Sequence, residues 1–261
     1  MAKSNLRYLF LHYGPGGNAA LERIWLKNWS SKIDFWDQPT NLGSFSDLAS
    51  HCADQFKSGN YDGIIAHSFG CEIAVKVNEL VGENIKSYFI SPLRDIPSAF
   101  INLANFLAKS ALSIERKTQL IEVSAQMEKT PNWMPKKNLS SEGMANFIKL
   151  ISTISADPKY YRCFWSKSEC LARYESILTQ LPPLDLTCWQ NVMMDFLGNH
   201  QISIQKNNLH VFVGSDDPYL GLTRDEQLYW ENLEAKFSLC EKVGHYPHLE
   251  SELVNNLLKS I

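Results

Sequence analysis

The segment Ala66-His67-Ser68-Phe69-Gly70 lies between an apolar strand-like run, YDGIIA, and a helix-like run, CEIAVKVNELV. A serine on a sharp turn from a buried strand into a helix is lifted clear of the backbone as an exposed nucleophile. So tight a turn leaves no room for bulk two residues to either side of the serine. Ala66 and Gly70 meet that demand. An N-cap serine at an ordinary helix start accounts for the same Ser-x-Gly triplet, so the reading turns on whether partner residues exist elsewhere in the chain.

Two later strand-like runs supply them. LHVFV runs into Gly214-Ser215-Asp216-Asp217-Pro218, and KFSLCEKV into Gly244-His245-Tyr246-Pro247-His248-Leu249-Glu250. An acid and then a histidine, each just past the carboxyl end of a strand, complete the chain order Ser…Asp…His. On these residues the chain resembles the α/β-hydrolases, in which G-x-x-D-P and G-H-x-x-H-x-E are common forms of the acid and histidine loops. The resemblance implies Ser68 as nucleophile, Asp217 as acid and His245 as base, with Asp216 as the alternative acid. His245 and His248 also form an H-x-x-H pair, the spacing of two metal ligands. No third Cys, His or carboxylate is spaced to complete a site, so no metal is expected, and the resemblance makes His248 a helix-start residue.

Near the amino terminus, LRYLFLHY leads into Gly14-Pro15-Gly16-Gly17-Asn18. In the resembling enzymes such a loop after the first core strand gives one backbone N–H to the oxyanion hole, the other coming from the residue after the nucleophile. Here those donors are Gly14 and Phe69, since Pro15 has no N–H to give. The loop looks like the H-G-G-P-G of prolyl iminopeptidases and related esterases, with Tyr13 where the first glycine would stand; Tyr13 is a candidate substrate contact. A phosphate cradle is a poorer reading, because neither G-x-G-x-x-G nor G-K-[ST] is present, and no cofactor is expected.

Strand and helix patterns alternate up to Ser91 and again from about Asn207, which argues for a parallel, doubly wound sheet. Against the family, the chain starts at what is usually the third strand, so a mostly parallel six-stranded sheet without the leading hairpin is expected. Residues 1–91 and 208–261 then form the α/β core. Residues 92–207 are too long for a loop; their apolar spacing, as in AFINLANFLAKSAL and MANFIKLISTI, is helical, and Pro131, Pro135, Pro158, Pro182 and Pro183 cut them into short helices. The resemblance makes this insertion a helical cap above the nucleophile. Trp133, Trp165 and Trp189 are its candidate substrate contacts, with Met134, Phe164, Met193 and Met194 as further apolar wall.

A net charge of −3 over 261 residues implies no general attraction to nucleic acid. No apolar run approaches the roughly 20 residues of a membrane span. The six cysteines lack C-x-x-C pairing, and Met1–Asn5 shows no signal-peptide pattern; free thiols and a cytoplasmic location are expected. Between residues 101 and 180 basic residues outnumber acidic ones, eleven to seven, a charge that would attract an anionic substrate or an acidic carrier protein. Together these readings point to a serine hydrolase of a small or medium acyl ester. The alternatives are a thioesterase or carrier-protein ester hydrolase, a proline iminopeptidase, and a non-catalytic hydrolase-fold binding protein.

Overall fold

Short runs rich in β-branched and aromatic side chains become strands covered on both faces. A computed structural model of the protein describes residues 6–26, 32–82, 85–93, 95–130, 139–199, 208–221 and 223–260. The strands are β1 (Tyr8–Leu11), β2 (Ile33–Trp36), β3 (Gly63–His67), β4 (Lys86–Ile90), β5 (Leu209–Gly214) and β6 (Lys236–Cys240). They form one six-stranded sheet in the order β2-β1-β3-β4-β5-β6, and every neighbouring pair is parallel. Side chains on both faces, among them Phe10, Ile64, Ile65, Phe89, Val211 and Phe212, are buried, as near-continuous apolar runs in a parallel sheet require.

Each crossover carries a helix. α1 (Ala20–Trp25) joins β1 to β2, and α2 (Phe45–Ser58) joins β2 to β3. The Ser44 hydroxyl caps α2 by accepting from the Asp47 amide at 3.0 Å. α3 (Gly70–Val81) joins β3 to β4 and ends on Gly82 in the left-handed conformation, φ +73°. The chain runs from β1 outward to β2 and then crosses to β3 on the other side of β1. That reversal is the topological switch point, where parallel strands open a crevice at their carboxyl ends. Leu11 pairs with Ala66 across it, so the glycine-rich loop after β1 and the serine turn after β3 leave the sheet side by side.

Between β4 and β5 the chain forms α4 (Ile96–Lys109), α5 (Ile114–Glu128), α6 (Ser141–Ser155), α7 (Ser168–Ile177) and α8 (Leu186–Asn199). Asp95, Ser113 and Ser140 cap α4, α5 and α6 through their side chains, and these three helices pack on one another. α8 returns to the core: Phe196 packs edge-on against Phe45 and Phe69, and the Asp195 carboxylate accepts from the Phe45 amide at 2.8 Å. After β5 come α9 (Thr223–Asn232), then β6, α10 (Pro247–Glu250) and α11 (Glu252–Ser260). Among the described residues no helix is long and apolar enough to cross a membrane.

Candidate active site

Ser68 sits between the last residue of β3 and the first turn of α3 with φ +54°. That left-handed conformation costs a non-glycine residue roughly 1–2 kcal/mol. Hydrogen bonds on both sides hold it: the Ser68 amide donates to Ile90 O at 2.9 Å, and Ser68 O accepts from the Cys71 amide at 3.0 Å. A Cβ on Gly70 would lie 2.7 Å from the carbonyl oxygens of both Leu11 and His12. Glycine is therefore obligatory there, whereas at position 66, two before the serine, a methyl group fits within the core.

The histidine and acid loops meet beside it. The Nδ1–H of His245 donates to Asp217 Oδ2 at 2.8 Å, and the other carboxylate oxygen accepts from the Tyr219 amide at 3.0 Å. Both side chains are buried. With Nδ1 protonated, Nε2 is left as the basic nitrogen. Asp216, by contrast, is exposed and accepts from the neighbouring Ser215 hydroxyl; it is a turn residue.

Ser68, His245, Gly14 and Phe69 all line one cavity of about 360 Å3. The peptide that bears the Gly14 N–H is oriented from behind: the Nδ1–H of buried His12 donates to Tyr13 O at 2.7 Å. Gln38 Nε2 donates to Gly14 O at 3.1 Å. Tyr13 lines the cavity too and packs edge-on against His67 and Tyr246, so the loop brings Gly14 to Ser68 with tyrosine in the glycine's place. Burial pushes the Tyr13 phenol well above its ordinary range, keeping it neutral.

The insertion supplies the opposite wall. Phe164, Trp165, Trp189 and Met193 line the cavity with Phe100 and Ile151. Trp165 is both wall and clamp, stacked on Tyr246 at 4.6 Å and on Trp25 at 5.3 Å between centroids. Trp133 and Met134 lie outside the described residues. Met194 packs at the edge of the core.

Two further sets of contacts emerge that the sequence does not reveal. Glu250, the last residue of the histidine motif, accepts from the Gly244 amide at 2.7 Å with one oxygen and from the Ser166 and Lys167 amides at 3.0 and 2.8 Å with the other. It ties the His245 loop to the insertion, reinforced by His245 N–H donating to Phe164 O at 2.9 Å. Burial raises its carboxyl pKa and the three amides work against that rise. The second set surrounds His248, for which the sequence spacing offers no third ligand. His245 is committed to Asp217, but His248 meets Glu22 and His67, and donor atoms of the three lie within 4.8 Å of one another. No spacing rule reaches residues so far apart in the chain.

No family model matches the sequence, and no curated protein matches it. Solved structures do. A proline iminopeptidase-related protein from Thermus thermophilus superposes with a TM-score of 0.64 at 17% identity over 98% of this chain and 89% of that one. An esterase from Exiguobacterium antarcticum gives 0.55 at 13% identity, covering 98% and 91%. An alpha/beta hydrolase fold protein from Burkholderia ambifaria gives 0.54 at 13% identity, covering 97% and 90%. The chain has the α/β-hydrolase fold.

Proposed function

We propose that the protein is a serine hydrolase that cleaves carboxylic esters of small or medium acyl groups through an acyl-enzyme on Ser68. The observation that carries this reading is that Ser68 lines one apolar cavity with His245, whose ring is hydrogen-bonded to Asp217. His245 Nε2 takes the Ser68 proton as Oγ bonds to the ester carbonyl carbon, and the oxyanion faces the amides of Gly14 and Phe69. Collapse of the adduct expels the alcohol, which takes its proton from His245. Water then attacks the acyl-enzyme by the same route and frees the acid. Asp217 holds the imidazole in the tautomer that leaves Nε2 basic.

The cavity lining favours an uncharged acyl group. None of its described side chains is a carboxylate, lysine or arginine. A free amino terminus, as an iminopeptidase substrate has, would find no counter-charge, and neither would an anionic chain. At about 360 Å3 the cavity is at the small end of ligand sites, which run from about 300 to 1,000 Å3. Treatment with a fluorophosphonate tests the reading. Wild-type protein should be labelled and should turn over short p-nitrophenyl esters, and Ser68→Ala should lose both while unfolding at the same temperature. A labelled Ser68→Ala protein, or an unlabelled, folded wild type, would refute it.

A further inference from the structure

Outside the lining of the cavity, the fold gathers a second set of titratable side chains that the proposed chemistry does not use. Glu22 projects from α1, His67 ends β3, and His248 belongs to α10. All three are fully buried. Among the described residues, both oxygens of Glu22, Nδ1 of His67 and both ring nitrogens of His248 have no hydrogen-bond partner. A buried carboxylate without donors is costly, and so is each bare imidazole nitrogen beside it.

The pattern of what is satisfied tells how the unsatisfied atoms are used. His67 Nε2–H donates to the His245 carbonyl at 2.9 Å, which fixes the tautomer and leaves Nδ1 with a buried lone pair. Anchoring the distal N–H on a backbone carbonyl is the usual outer-shell arrangement of a metal-binding histidine. Glu22 Oε1 and His248 Nε2 are 3.5 Å apart, beyond the 2.7–3.2 Å of an N–H···O bond. Two donors at about 2.0–2.1 Å on a tetrahedral ion lie about 3.4 Å from each other. The donor atoms of the cluster all lie within 4.8 Å of one another, so a pair at that bound would close by about 1.4 Å to reach the tetrahedral spacing. An ion pair between Glu22 and a protonated His248 would engage one carboxylate oxygen and leave the other, and Nδ1 of His67, bare.

From this geometry we infer that Glu22, His67 and His248 bind one divalent transition-metal ion, tying α1, the residue before Ser68 and the helix after His245 together. Two imidazole nitrogens and one carboxylate oxygen suit zinc, and the intermediate softness of the set disfavours calcium and magnesium, which take oxygen ligands. The site is structural in its consequences, because it links the loops of the nucleophile and the base without facing the cavity. It stands independently of the ester-hydrolase reading.

The test measures metal and stability, not turnover. Full-length protein is dialysed against EDTA, loaded with zinc chloride and freed of excess. Elemental analysis should give about one zinc per chain, held with the affinity of a preformed three-ligand site. Zinc at about 100-fold over its Kd should raise Tm by about 5–10 °C. The double variant Glu22→Gln/His248→Gln should lose both the bound zinc and the rise in Tm, while Cys163→Ser/Cys170→Ser, which removes the more accessible thiols, should keep both. Cobalt(II) in the wild type provides a readout that needs no folded variant: visible d–d bands of a four- or five-coordinate nitrogen and oxygen site, without a thiolate-to-cobalt band. Wild-type protein that holds no zinc and shows no shift in Tm overturns the inference. So does zinc retained by the double variant, or a cobalt spectrum with thiolate ligation.

Discussion

Two adjacent carboxylates follow β5, and only one of them points at the histidine. Asp217 spends one oxygen on His245 Nδ1 and the other on the Tyr219 amide, whereas Asp216 faces solvent. Asp217→Asn should therefore lower kcat by about 10^4-fold, the cost of presenting the wrong imidazole tautomer. Asp216→Asn should change it by less than about 3-fold, since surface turn changes rarely disturb a fold; the opposite ranking in steady-state kinetics would make Asp216 the acid. Glu72, in the first turn of α3, makes a separate case. Burial, with Asp95 nearby, pushes its carboxyl pKa from 4.5 up to about 8. The folded state then binds more protons than the unfolded chain between those values, so this group's contribution to stability is present below pH 4.5 and is lost as pH rises towards 8. The α3 dipole offsets part of the penalty. Glu72→Gln should flatten Tm against pH across that window and stabilise the protein by about 1–3 kcal/mol above it; an unchanged slope would show that Glu72 is ionised in the fold.

At the scale of elements, what is legible in the sequence is what is contiguous. Strands buried on both faces announce themselves as apolar runs, and a serine, an acid and a histidine each sit in a short motif at a strand end, so Ser68, Asp217 and His245 can be nominated as a candidate triad without a structure. Contacts made across the chain cannot. His12 orients the Gly14 peptide through Tyr13 O, and Glu250 joins residues 166 and 167 to residue 244; neither relation has a local signature, because each depends on which loops the sheet order brings together. The Glu250 clasp can be tested as a unit. Glu250→Gln keeps the shape but turns an NH2 group towards an amide N–H, leaving a buried donor unpaired at a cost of about 1–3 kcal/mol. The His245 loop should loosen, with kcat falling about 10–100-fold, as small misplacements of catalytic groups do, and the rate of fluorophosphonate labelling falling in step. A lower Tm with kcat and labelling rate unchanged would mean that Glu250 only stabilises the fold.

Over the whole molecule, the insertion between β4 and β5 is fastened to each loop that carries the proposed chemistry. The Asp185 amide donates to Gly16 O at 2.9 Å, where Gly16 has φ +72° and a Cβ would come within 2.4 Å of Asp185 O. Phe196 lies against Phe69, and Phe164 O accepts from the His245 amide. The basic excess of the insertion is partly spent within the fold: Arg116 pairs with Asp157, Arg162 with Glu175, and Arg173 lies over the Trp25 ring. Lys136 and Lys137 lie outside the described residues. On the proposed ester-hydrolase reading, substrate choice falls to the apolar wall. Trp165 is a poor probe of it, since its stacking on Trp25 and Tyr246 makes truncation cost about 3–5 kcal/mol of stability. Trp189 is half-buried and lines the cavity, and among the described residues it has no such stack. Trp189→Ala should lengthen the acyl site, raising kcat/KM for esters about two carbons beyond the wild-type optimum by about 10-fold relative to that optimum, the discrimination that one or two methylenes provide in a hydrophobic pocket. A ladder of p-nitrophenyl esters measures the shift. Equal losses at every chain length would place the effect in the Gly16 loop, which the Trp189 backbone helps to seat, and would remove Trp189 from the acyl wall.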